Sequence, residues 1–121
     1  MSLQVTARQV GQVLILDLSG RVLIGTSSDN LNAELRKHTD AGARKILVNL
    51  AMVEQMDSSG ISTIVRTYIS LERTRGSLRL LNPRGRVRDV LEVTRLIKAI
   101  PTFDDEAQAV ASFEQAARAK S

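Results

Sequence analysis

Lys45-Ile46-Leu47-Val48-Asn49-Leu50 and, a few residues on, Met56-Asp57-Ser58-Ser59-Gly60-Ile61 are the stretch on which the fold turns. The first run is short, aliphatic and apolar on both faces, which reads as a buried strand. The second begins a helix: Ile61, Ile64, Val65, Tyr68 and Leu71 recur at helical spacing, and Ser62, Arg66, Ser70 and Arg73 occupy the opposite face. A buried strand handing over to an amphipathic helix is half of a parallel β-α-β unit. A loop through Glu54 is expected between the two.

Working toward the N-terminus, residues 3–9 and 12–18 are rich in Val, Ile and Leu and are separated at Gly11, which predicts a β-hairpin. Both faces of the second run are largely apolar, so it is expected to be a central strand. Ser19-Gly20 reads as a break, with Arg21 to Ile24 continuing extended. Thr26 to Asp29 offers several helix caps, Leu31, Leu35 and His38 follow at helical spacing, and Gly42 reads as the stop.

Toward the C-terminus, Ser77 to Leu81 reads as a strand closed by Asn82-Pro83. Val87, Val90, Leu91 and Thr94 mark a third helix. Ile97 to Phe103 is predicted as an edge strand because of Pro101. Asp104-Asp105-Glu106 complements the dipole of a last helix, whose inner stripe is Ala109, Val110, Phe113 and Ala117. The same three acids read alternatively as a cation site. The expectation is an α/β fold, one domain over residues 1–121 with the last four residues frayed. Its mixed sheet has about five strands and about four helices, in the order β-β-α-β-α-β-α-β-α.

Composition narrows the chemistry. The 121 residues are 43% hydrophobic and 25% charged, as in a folded soluble domain. Tyr68, Phe103 and Phe113 are the only aromatic residues, so the core is aliphatic. Without cysteine there are no disulfides and no thiolate metal sites, and the single histidine, His38, lies on a predicted apolar stripe. No apolar run reaches the roughly 18 residues that span a bilayer. Met1-Ser2-Leu3-Gln4 has no basic region leading into an apolar one, so a cytoplasmic location without membrane insertion is expected. Residues 61–100 carry nine Arg or Lys against three acids. That bias favours an acidic protein partner; without interleaved aromatics, nucleic acid is not expected.

Asp57-Ser58-Ser59-Gly60 has a bland reading and a functional one. The bland one places Ser58 near the helix N-cap and stops there, although Ile61 stands where a capping box needs Glu or Gln. The functional one is phosphorylation. Phosphoserine adds about −1.5 to −2 charges at a helix end that carries positive potential and free N–H groups. A catalytic Ser58 would need a base and an orienting group, and a Gly-x-Ser-x-Gly elbow is absent. Asn82-Pro83-Arg84-Gly85-Arg86 likewise lacks the Gly-Lys-Ser/Thr ending of a phosphate loop. No catalytic residue, metal or cofactor is expected, and the protein is not expected to be an enzyme.

The hairpin-helix-strand order, the run Ile46 to Leu50, the segment Met56 to Ile61, Gly76, Leu80-Leu81-Asn82-Pro83 and the closing Phe103-Asp104-Asp105-Glu106-Ala107 together resemble the STAS domain family. The resemblance is strongest to the anti-sigma factor antagonists (SpoIIAA-like). It covers nearly the whole chain. It implies that Ser58 is a phosphoacceptor and that Asp57, Ser59 and Gly60 form its partner-binding loop. The implied partners are an anti-sigma factor with serine kinase activity and a phosphatase acting on phosphorylated Ser58. The unphosphorylated protein would hold the anti-sigma factor and free a sigma factor, so the role is transcription regulation by partner switching. The alternative within the same resemblance is a STAS subunit of another signalling or membrane-transport assembly, with Ser58 only a helix cap. Arg66 and Arg73 are candidate contacts for an anionic partner, and a monomer or weak dimer is expected. One departure concerns the turn Gly20-Arg21-Val22-Leu23: the antagonists often read Gly-Glu-Leu-Asp there, so both acidic positions are lost, at Arg21 and Leu23.

Overall fold

Leu14, Leu16 and Leu18 point to one face of a central strand while Val13 and Ile15 point to the other, and each set finds its own layer of helices. The computed structural model describes the backbone of residues 3–120 and the side chains of residues 3–114. Its sheet is β1 (Gln4–Val10), β2 (Val13–Val22), β3 (Lys45–Met56), β4 (Ser77–Leu81) and β5 (Thr102–Phe103), in that spatial order. β1 and β2 form an antiparallel hairpin, and the remaining pairs are parallel.

Every crossover from β2 to β5 steps in the same direction across the sheet. Right-handed connections must then lay all the intervening helices on one face. α1 (Thr26–Asp40), α2 (Ser58–Arg73) and α3 (Gly85–Val93) do so. Leu31 and Leu35, Ile64 and Leu71, and Val87 and Leu91 pack on Leu14, Leu16, Leu18, Ile46, Val48, Leu50, Leu78 and Leu80. The opposite face is covered by α5 (Glu106–Lys120), whose Ala109 and Phe113 seal Val13, Ile15, Leu47 and Leu81.

Four sequence expectations are corrected. Ser19-Gly20 does not end β2, because Gly20 takes φ 111° and the pairing with β3 continues through two register shifts to Val22 and Met56. For the same reason there is no loop through Glu54: β3 runs unbroken from Lys45 to Met56. Ile97 to Phe103 is not one strand. A short helix, α4 (Leu96–Ala99), occupies its first half, and only Thr102 and Phe103 pair at the sheet edge after Pro101. Thr94 is the C-cap of α3 and is exposed instead of facing inward. The backbone of α5 is helical to Lys120, and the side chain of Ala117 and residue Ser121 lie outside the described residues.

Arg8 fastens β1 to α5. Its guanidinium donates to Asp17 Oδ2 at 2.6 Å and to Glu106 Oε1 at 2.5 Å, and Asn49 Nδ2 donates to Asp17 Oδ1 at 2.8 Å. These bonds hold the carboxyl groups of Asp17 and Glu106 below their ordinary values, with Arg8 the principal cause for each.

Candidate functional site

The carboxyl ends of β2, β3 and β4 lead into the N-termini of α1, α2 and α3, so three helix starts gather at one end of the sheet. Asp57 sits at the middle one. Its own N–H donates to Val22 O at 3.0 Å, joining the ends of β3 and β2. Its φ of −100° and ψ of −173° are those of a helix N-cap, and its Oδ1 accepts the backbone N–H of Ser59 at 2.9 Å and also the Ser59 hydroxyl. Oδ2 accepts the backbone N–H of Ile24 at 2.8 Å. These donors, the Ser59 hydroxyl foremost, hold the Asp57 carboxyl below its ordinary value.

The cap is therefore Asp57, and Ser58 stands next to it; the capping bonds are made by Asp57 and not by the Ser58 hydroxyl. Ser58 is the first residue of α2 and is exposed, and its hydroxyl makes no hydrogen bond among the described residues. Ser59, by contrast, is half-buried with its hydroxyl engaged by Asp57. Of two adjacent serines, one has an unengaged hydroxyl among the described residues and the other does not. Gly60 is buried, and the reason for glycine is space: a Cβ there would stand 2.6 Å from Val22 Cγ1 and 2.9 Å from Met56 Cγ. The helix start is pressed onto β2 and β3 at a separation only glycine allows.

The loop beside Ser58 carries residues that sequence reasoning missed. Ile24 is 84% exposed, although its backbone is fixed by Asp57. Ser27 Oγ accepts the N–H of Leu23 at 2.9 Å and donates to its carbonyl at 3.0 Å, stapling the same loop to α1. The loop thus presents an exposed isoleucine next to the Asp57 cap of α2. Its sequence signal was the unexplained apolar residue before Gly25. Arg21 is exposed at the end of β2 and Leu23 is half-buried. Thr63 was also missed: it is buried, donates to Ser59 O at 3.1 Å and accepts from Arg66 Nη2 at 3.2 Å.

Arg66 thus lies on the exposed ridge of α2, about 12 Å along the axis from Ser58 at 1.5 Å per residue. Arg73 does not join the site. It is in the last turn of α2, about 22 Å away by the same measure, where it complements the helix dipole. The basic bias of residues 61–100 is dispersed as well. Arg79 turns inward over the Phe113 ring at 4.8 Å, Arg88 approaches Glu92 at 3.7 Å and Asp104 at 3.6 Å, and Arg84 and Arg86 stand at the start of α3. Asp105 Oδ1 accepts the N–H of Gln108 and Glu106 pairs with Arg8, and no metal-ligating cluster occurs among the described residues. His38 lies near Glu34 at 3.5 Å on α1, away from Ser58. No described helix is long and apolar enough to cross a membrane.

Comparison with known proteins agrees with this geometry. The chain is 27% identical over 119 residues to the anti-sigma F factor antagonist of Paenibacillus polymyxa, covering 94% of this chain and 97% of that protein. An anti-sigma factor antagonist from Mycobacterium paratuberculosis has the same fold, with a TM-score of 0.85 at 18% identity over 93% of this chain and 95% of that one. So does the anti-sigma factor antagonist SpoIIAA, solved unphosphorylated (TM-score 0.78, 23% identity, 93% and 97% coverage) and, as the Bacillus cell fate determinant, phosphorylated (0.70, 22%, 90% and 98%). The sequence profile of the STAS domain matches residues 4–109, and the chain belongs to the STAS domain family.

Proposed function

We propose that this protein is an anti-sigma factor antagonist, a non-catalytic binding module that is switched off by phosphorylation of Ser58. The observation that carries the reading is the contrast between the two serines: Ser58 has an exposed, unengaged hydroxyl at the first turn of α2, while the Ser59 hydroxyl is held by the Asp57 cap. A phosphate on Ser58 would sit at the positive end of a sixteen-residue helix without displacing any core side chain. It would also lie next to the Asp57 carboxylate and in front of Ile24. A partner docked there would meet about two new negative charges.

In this reading the unphosphorylated surface, with Ile24 as its apolar centre and Asp57, Ser59 and Gly60 as its scaffold, binds the anti-sigma factor and so releases a sigma factor. The anti-sigma factor acts as the serine kinase, a phosphatase restores the hydroxyl, and the cycle runs in the cytoplasm. The relationship to the Paenibacillus antagonist supports the class of partner. The alternative, a subunit of another assembly in which Ser58 only caps α2, is disfavoured because the capping bonds belong to Asp57. Intact-mass analysis after incubation with the cognate anti-sigma kinase and ATP tests the proposal. Wild type should gain one phosphate and Ser58→Ala none; modification of Ser58→Ala to the same extent would overturn it.

A further inference from the structure

A second polar feature lies on the same side of the molecule, in the groove between α1 and α2. It has a volume of about 350 Å³ and is lined by Asn32, Arg36, Thr39, Asp40, Arg66, Thr67 and Ser70. Arg36 comes from α1 and Arg66 from α2, and neither has a carboxylate within 4.0 Å among the described residues. Asp40 is the single acid on the rim. The hydroxyl protons of Thr39 and Thr67 are already given to the carbonyls of Arg36 and Thr63. The donors left for a ligand are the two guanidinium groups, the Asn32 amide and the Ser70 hydroxyl.

Arg66 is pre-oriented. One of its N–H groups is used on buried Thr63, which is itself bonded to the carbonyl of Ser59. Arg66 is exposed, and its remaining N–H groups make no hydrogen bond among the described residues. We infer that this groove is a second docking site, built for carboxylate side chains on an acidic segment of the protein that binds at Ser58.

Three observations favour carboxylates on a protein segment. The groove presents two unneutralised cations and one acid, so its charge is complementary to an acidic strand or helix. Both arginines are exposed, so a lone small anion would keep its hydration, whereas several carboxylates on one chain act together. Arg66 also belongs to the exposed row Ser58, Ser62 and Arg66 of α2, about 12 Å along the axis from Ser58, so a partner lying on that helix spans both. The inference builds on the binding role proposed above, but its site is distinct from the phosphoacceptor.

The test uses the full chain and an oligoglutamate peptide as probe, followed by amide chemical shifts at low ionic strength. The peptide should perturb Asn32, Arg36, Arg66, Thr67 and Ser70 and lose its effect at high salt. Arg36→Gln and Arg66→Gln should each weaken binding about fivefold, with circular dichroism unchanged. Shifts centred on Arg84 and Arg86, or Arg36→Gln and Arg66→Gln binding as wild type does, would overturn the assignment. So would equal shifts produced by inorganic phosphate at the same concentration, which would make the groove a small-anion site. Because the probe is not the kinase, these outcomes stand whether or not Ser58 is phosphorylated. Failure of the Ser58 switch and failure of the groove are therefore read separately.

Discussion

Asp57 Oδ2 accepts the backbone N–H of Ile24 at 2.8 Å across 33 residues of sequence. The residue that caps α2 therefore also fixes the loop that follows β2. One carboxylate sets the position of Ile24, the start of the helix and, through Ser59, which of two serines keeps a free hydroxyl.

Replacing Asp57 and replacing Ser58 should therefore differ. Asp57→Ala removes an N-cap and should lower stability by about 1 kcal/mol in urea unfolding. Ser58→Ala removes a hydroxyl with no partner and should change it by less than about 0.5 kcal/mol. The Asp57 carboxyl is held below its ordinary value of 3.8. Its stabilising effect is thus present above that value and is lost as pH falls through the lower folded value. The difference between wild type and Asp57→Ala should shrink in acid.

Gly60→Ala places a methyl group 2.6 Å from Val22 Cγ1 and 2.9 Å from Met56 Cγ. Both neighbours are buried, so the helix start must move. The expected cost is about 1–3 kcal/mol, read as a lower urea midpoint with the unfolding slope unchanged. Because Ser58 rides on that turn, the variant should also be phosphorylated more slowly.

Arg8 joins Asp17 and Glu106 and so anchors α5 to the hairpin. All three side chains are partly exposed, which limits the effect: Arg8→Gln should destabilise by about 1 kcal/mol at neutral pH. Both carboxyl groups are held below their ordinary values of 3.8 and 4.5. Their contribution is complete above those values and disappears as pH falls through the lower folded ones. Unfolding curves of wild type and Arg8→Gln should therefore converge on acidification.

The parts of the molecule legible in its sequence were those with strong local patterns. The buried runs of β2 and β3, the stripe Ile61, Ile64, Val65, Tyr68 and Leu71, and the turn at Asp57 to Gly60 announce themselves by period and residue type. The far half of β3 did not, because bulges opposite Ser19 and Gly20 break its alternation and leave Met52 and Glu54 exposed. α4 was too short to show a helical period. At the site, the sequence placed Ser58 near the N-cap of the right helix but left open which residue makes the cap, since Ser and Asp both cap well and only geometry separates them. Ile24 and Thr63 act through contacts with residues distant in sequence or one turn away, which no local pattern encodes.

The central claim is that a charge on Ser58 abolishes binding while leaving the fold intact. It is tested most directly by measuring the affinity of the cognate anti-sigma factor for the unphosphorylated protein and for the protein stoichiometrically phosphorylated at Ser58, with circular dichroism and unfolding curves on both. Unchanged spectra and midpoints with at least a roughly hundredfold loss of affinity, the scale of a buried interfacial charge left unpaired, are expected. Equal affinity of the two forms, or a phosphorylated form that is itself unfolded, would contradict it.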